Sequence, residues 1–232
     1  MLVLALDTTT RAGSAAVLRD GAVAAVLAGD AARTHGERLP GEIETVLGLA
    51  GVSLDDVDLL AVASGPGAFT GLRIGLAAMQ GLAMATGRPI VGISALDALA
   101  VAACRALGTD AARLGAWMDA ARGEVFSAVY DVRGDVTGAV PILTPIVAAT
   151  AAPPAETWAR WSNLAPPPVA VCGDGAMRYA ADLPAAVQVL AAPPLAPIVA
   201  ALAVEAARHD GPHPPHRLQP LYVRRADVER SQ

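Results

Sequence analysis

With 232 residues, a net charge of −5 and no dense run of Lys or Arg, the chain is sized for one large domain or two small ones. The same balance argues against a leading role in gripping nucleic-acid backbone. Hydrophobic residues make up 54% of the chain but aromatic residues only 3%, so the core must be built mainly from Ala, Val and Leu. Cys104 and Cys172 lie far apart, form no metal or redox spacing, and read as buried reduced thiols.

In chain order, the first thirty residues read as a β-meander. Leu2–Leu6 is a short apolar run, "DTTTRAG" is turn chemistry, and "SAAVL" is followed by an "RDG" turn and "AVAAVL". The stretch "ERLPGEIETVLGLAG" predicts a helix with Leu39, Ile43, Val46, Leu47 and Ala50 on one face and Gly51 as its stop. Next come a buried strand, "DLLAVAS", and the loop "SGPGAFTGLRIG" from Ser64 to Gly75. The loop leads into a helix over about Thr70–Thr86, then strand "PIVGI" and a helix that starts at a serine N-cap, "SALDALAVAACRAL".

A second unit starts near Leu114. "LGAWMDAARGEVFSAVYDVRGDV" again gives a strand ending at an aspartate, a polar turn, a small-residue strand and a glycine turn. Asp7 precedes Gly21 by 14 residues and Asp119 precedes Gly134 by 15, an echo that either marks two related halves or is chance. Pro153–Pro168 is proline-punctuated with room for a short helix around Trp158. "VAVCGDG" is a strand into a turn, Leu195–Arg208 a helix, and the tail from Gly211 reads as irregular. The start "MLVLALD" has no basic region and meets an acid at residue 7, unlike a signal peptide. The longest weakly polar run, Ala185–Val204, is broken by Pro193, Pro194 and Pro197. A soluble, cytoplasmic protein with no membrane partner is expected.

The glycine loop fits neither nucleotide template. A P-loop needs G-x-x-x-x-G-K-[ST], whereas five residues separate Gly65 from Gly71 and Leu72-Arg73 follows. A dinucleotide fingerprint needs G-x-G-x-x-G, whereas the glycine after Gly67 comes four positions later. A strand–glycine–helix junction can still present free amides to an anion. In the helix, Gly71, Gly75 and Gly81 each cost about 0.8–1 kcal/mol relative to alanine, which something must offset. Either the helix is buried in the chain's own core, or its small face receives another subunit.

"LALDTTT", the H-x-x-x-L-P-like "HGERLP" at His35–Pro40, "GPGAFTGLRIG", "PIVGISALDALA", "MDAARGEVF" and "PLYVR" occur in the order found in bacterial TsaB (YeaZ-type) proteins, which the chain resembles over nearly its whole length. It departs at Ala68, where the family usually has serine, at Gly36, where Ser or Thr is common, and at Ala121, where arginine is frequent. The resemblance implies an α/β fold of the actin/Hsp70/sugar-kinase kind, two ribonuclease-H-like halves with mixed sheets, the second reduced. The first half would span 1–109, completed by the helix near 195–208, the second 110–192, with an irregular tail over 209–232.

The resemblance also implies a function. The chain would be a non-catalytic subunit that binds and activates the transferase TsaD, for N6-threonylcarbamoyladenosine formation at position 37 of tRNAs reading codons that begin with A. The ATPase TsaE would join a larger complex, and tRNA contact would be indirect. The two helices of the first half would form the partner interface through Leu39, Ile43, Val46, Leu47, Leu72, Gly75, Ala78, Met79 and Leu82, or pair two copies as a homodimer.

The catalytic paralogue binds metal through an H-x-x-x-H pair; here His35 is followed four residues later by Leu39, and His209, His213 and His216 lie in the proline-rich "HDGPHPPH". No metal and no catalytic residue is expected, and no cofactor of the chain's own, with ATP or ADP left to the partner interface. In the actin-like fold, acids ending each half's first strand approach phosphate and magnesium. Asp7 and Asp119, with Thr8, Gly65 and Gly67, are therefore the weak nucleotide candidates, and the alternative reading of the acids is that each caps a hairpin turn. The competing functions are an autonomous ATP-dependent phosphotransferase or ATPase using Asp7 and Asp119, and a metallopeptidase.

Overall fold

The computed structural model describes residues 1–109, 111–134, 140–212 and 214–223. They divide into two compact units. One holds Met1–Ala98 with Pro193–Pro220; the other holds Leu99–Ala192 and the described residues after Pro220. The boundary falls inside a helix, between Ala98 and Leu99.

The first unit runs β1 (Leu2–Asp7), β2 (Ser14–Arg19), β3 (Ala22–Ala28), α1 (His35–Ala50), β4 (Leu59–Gly65), α2 (Phe69–Thr86), β5 (Ile90–Ser94) and the start of α3 (Ala95–Leu107). Its sheet has the order β3-β2-β1-β4-β5, with β1 antiparallel to β2 and parallel to β4. Side chains alternate across a sheet, so register sorts them by face. Leu4 stands opposite Val17 and Leu60, and Leu6 opposite Ala15 and Val62. This face forms one core with Leu39, Ile43, Val46 and Leu47 of α1 and Leu76, Met79 and Ala83 of α2. The other face carries buried Val3, Ala5, Ala16 and Ala61, all small or β-branched.

The second unit runs β6 (Ala111–Asp119), β7 (Val125–Arg133), β8 (Ile142–Ala152), α4 (Pro154–Trp161), β9 (Ala170–Cys172), α5 (Asp174–Arg178) and β10 (Gln188–Leu190). Then α6 (Ala196–His209) returns to the first unit and packs on β1, β2, β4 and β5. Its first-turn Ala196 N–H, a donor that no helical carbonyl can take, is accepted by Ser14 Oγ at 3.0 Å. The second sheet reads β10-β9-β6-β7-β8, again with an antiparallel meander on one side of the founding strand and parallel strands on the other. Each unit thus repeats the order third-second-first-fourth-fifth, and the echo between Asp7 and Asp119 is real: both acids end the central founding strand.

Trp117 of β6 and Trp161 of α4 anchor the second core with ring centroids 5.7 Å apart. β8 and β10 are strands that the sequence pattern does not predict. β8 lacks alternation and carries Pro145, tolerated because β8 lies at the sheet edge. β10 is only three residues long. Within the tail expected to be irregular, Pro215–Arg217 forms a 3-10 turn, while His213 and Arg224 lie outside the described residues.

Candidate functional site

The loop Gly65–Phe69 joins the buried strand β4 to α2, and it is filled by the chain itself. Ala68 N–H donates to Thr9 O at 2.8 Å, so an amide at the helix start is already taken by the turn after β1. A β-carbon at Gly67 would press on the Thr9 backbone, one at Gly71 would overlap Thr8 O, and one at Gly75 would overlap Thr8 Oγ1. The glycines therefore let α2 lie directly on the Asp7–Thr10 turn. The close neighbour that their helix penalty calls for is a strand turn of the same unit.

Asp7 and Thr8 are both buried. The Asp7 carboxylate accepts from Thr9 N–H at 2.9 Å and from Thr9 Oγ1 at 2.6 Å, the bonds of an Asx turn. Asp119 does the same in the second unit, where Oδ1 accepts from Ala121 N–H at 3.1 Å and Oδ2 accepts from Arg178 at 2.6 Å. Tyr179 OH donates to Asp119 Oδ1 at 3.4 Å, and Asp119 N–H donates to Asp174. Burial pushes the Asp174 carboxyl upward, against the backbone donors Asp119 and Gly175 that favour its charged form. Burial likewise pushes the Cys172 thiol up to about 12, which leaves it inert as a nucleophile. Among the described residues no group of three His, Cys, Asp or Glu side chains could hold a metal ion.

A buried polar cluster escaped the sequence reading. His35 stacks its two ring nitrogens between Thr10 O, at 2.9 Å, and an Arg38 guanidinium nitrogen, also at 2.9 Å. Arginine can only donate, so His35 Nδ1 accepts and Nε2–H donates to Thr10 O. Arg38 also donates to Arg11 O and Ala12 O and pairs with Glu42 one turn on. These bonds tie α1 to the same turn that α2 covers. The signal was present in the sequence as His, Arg and Glu at i, i+3 and i+7, one face of a helix.

The proposed partner-facing residues need correction. Leu39, Ile43, Val46, Leu47, Leu72, Gly75 and Met79 are buried inside the first unit, most of them against the sheet. Ala78 and Leu82 are partly buried and pack on the same core. A hydrophobic helix face finds its own sheet first, because that burial is available during folding. What α1 and α2 leave outward is a different stripe. On α2 it comprises Phe69, Arg73, Ala77, Gly81 and Met84, spaced by four or three, with Met84 74% and Phe69 51% exposed. On α1 it comprises Pro40, Gly41, Thr45, Gly48 and Leu49, the last 63% exposed. Arg73 lies over the Phe69 ring at 3.8 Å. The two helices meet where Gly36 faces Ile74, and nothing lies within 4 Å of the Cβ positions of Gly41, Gly48 or Gly81. The stripe sets exposed apolar side chains and open glycines beside Arg73, Thr45 and Glu44.

A family model described as "TsaD: tRNA N6-adenosine threonylcarbamoyltransferase" matches residues 26–149, more than half of the chain. The tRNA threonylcarbamoyladenosine biosynthesis protein TsaB of Escherichia coli is 42% identical over 56% of the chain and 55% of its own length. The TsaB of Haemophilus influenzae is 43% identical over 44% of the chain and 43% of its own. The likeness becomes complete in three dimensions. YeaZ from Pseudomonas aeruginosa is 31% identical, covers 95% of the chain with 99% of its own, and superposes with a TM-score of 0.77. The chain belongs to the TsaB (YeaZ-type) family. A second Pseudomonas aeruginosa structure, of a protein with similarity to the peptidase YeaZ, gives a TM-score of 0.79 at the same identity over 96% of the chain. The chain spans about half the length of the curated TsaB relatives it matches, so these names identify the family and its fold. The family's "GPGAFTGLRIG" stretch is, in this chain, the segment seated on the Asp7–Thr10 turn.

Proposed function

We propose that the chain serves N6-threonylcarbamoyladenosine formation at position 37 of tRNA as a non-catalytic subunit that binds and activates a TsaD-type transferase. The observation that carries this reading is the outer stripe of α1 and α2. Exposed Leu49, Phe69 and Met84 flank open glycines, where a partner helix can approach closely and bury apolar surface. Activation follows from differential affinity, because docking on this stripe favours whichever arrangement of the partner presents the complementary face. The turn at Asp7 supports a structural role in this chain, since its carboxylate is already engaged by Thr9. ATP or ADP is then held with the partner rather than by the Gly65–Gly67 loop. A TsaE-type ATPase joins the pair in a larger assembly, and a second copy of the chain competes for the same stripe.

The test is calorimetric titration of the cognate TsaD-type subunit with the native chain and with Met84→Glu. Met84 is exposed and outside the core, so the variant keeps the fold while placing a charge in the docking face. The expected outcome is at least about a tenfold loss of affinity, the effect of a truncated or disrupted interface anchor. Unchanged affinity with intact folding would overturn the docking assignment.

A further inference from the structure

Gln80 lies midway along α2, between core-facing Met79 and outward Gly81, and its side-chain amide nitrogen donates two hydrogen bonds. Its Nε2 donates to Pro215 O at 2.6 Å and to Leu218 O at 3.0 Å. Both carbonyls belong to the segment after α6. That segment makes a 3-10 turn at Pro215–Arg217 and then sets Leu218 against the α1–α2 core. The seat for Leu218 is built into β5, the edge strand of the sheet: a β-carbon at Gly92 would overlap Leu218 Cδ1. Gly92 shares the parity of Ile90, whose side chain belongs to that core. The segment therefore lays Leu218 on the α1–α2 face of β5 at the gap left by Gly92, and is pinned to the middle of α2.

We propose that Pro214–Pro220 is a strap that sets the partner affinity of α2 through Gln80, an inference that rests on α2 being the docking helix. Pro214, Pro215 and Pro220 stiffen the strap, so its position is transmitted to Gln80 with little slack. Ala77 and Met84 of the outward stripe lie three residues before and four after Gln80, so the strap is pinned beside that stripe. Strap seating and partner docking then act on the same helix and are coupled, and the coupling is reciprocal: a partner that holds α2 also protects the strap. A modification or ligand that lifts residues 214–220 would weaken partner binding from a segment outside the docking stripe.

Hydrogen–deuterium exchange on the full chain reads the strap directly, through the Arg217 and Leu218 amides that donate to Pro214 O and Pro215 O. Gln80→Ala and Leu218→Ala are each expected to speed exchange over 214–220, and to weaken binding of the TsaD-type subunit about fivefold, the lower end of ordinary coupling. Added partner is expected to slow exchange there in the native chain. Unchanged exchange in Gln80→Ala would overturn the clamp. Faster exchange with unaltered partner affinity, while Met84→Glu weakens binding as expected, would overturn the coupling alone. Binding indifferent to Met84→Glu as well would remove the α2 docking reading on which the coupling stands.

Discussion

At Gly75 a single hydrogen atom decides how α2 meets the β1–β2 turn. Thr8 below it is buried, with Oγ1, Cγ2 and Cβ all grouped under the glycine, so rotating the threonine exchanges one clash for another. Gly75→Ala gains about 1 kcal/mol of helix propensity, but it overpacks a site that cannot yield, at about 1–3 kcal/mol. Gly81 has nothing within 4 Å, and there alanine keeps the full propensity gain. Urea unfolding should therefore give opposite signs for the two variants, and a stabilising Gly75→Ala would contradict the packing. The same contrast shows how far the residues were legible. The glycines announced a close neighbour through their helix penalty, but one-dimensional spacing could not tell a partner subunit from the chain's own Thr8. The burial of Leu39, Ile43, Val46 and Leu47 was likewise readable as one apolar face, whereas its occupant, the sheet, was a matter of tertiary register.

Among the elements, the second sheet carries a polar pin whose pH behaviour is specific. Arg113 of β6 stands directly opposite Asp131 of β7. Its Nε and a terminal nitrogen grip the two carboxylate oxygens at 2.7 and 2.9 Å. The hydrogen-bonded guanidinium holds the Asp131 carboxyl below its ordinary value, with burial opposing. A carboxyl depressed in the folded state stabilises at pH above its unfolded value, about 4, and that contribution is lost as pH falls through the folded value. The melting-temperature gap between the native chain and Asp131→Asn is thus expected to be widest near neutrality and to shrink as pH drops below about 4. A gap constant across that range would contradict the pairing. β6 and β7 were visible in the sequence through the aspartate that ends one, the small-residue run of the other and the turns that bound them. β8 was not, because an edge strand with alanines and a proline shows neither alternation nor a continuous β-branched run.

For the whole molecule, two units with one strand order give the weak echo between "LALDTTT…RDG" and "WMDAARG…RGD" a structural counterpart: each acid ends the founding strand of its sheet and caps the turn that follows. In both units that cap engages the acid locally, and in the first unit the glycine loop is packed with the chain's own turn, while the outward stripe of α1 and α2 keeps Leu49, Phe69 and Met84 exposed. Function would then lie in what the chain brings to another protein. The most direct measurement is reconstitution with the cognate TsaD-type transferase, its substrates and unmodified tRNA, scoring threonylcarbamoyladenosine by nucleoside mass spectrometry. Product is expected with the native chain present and to fall sharply when the chain is omitted or replaced by Met84→Glu. Equal product with and without the chain would contradict the account.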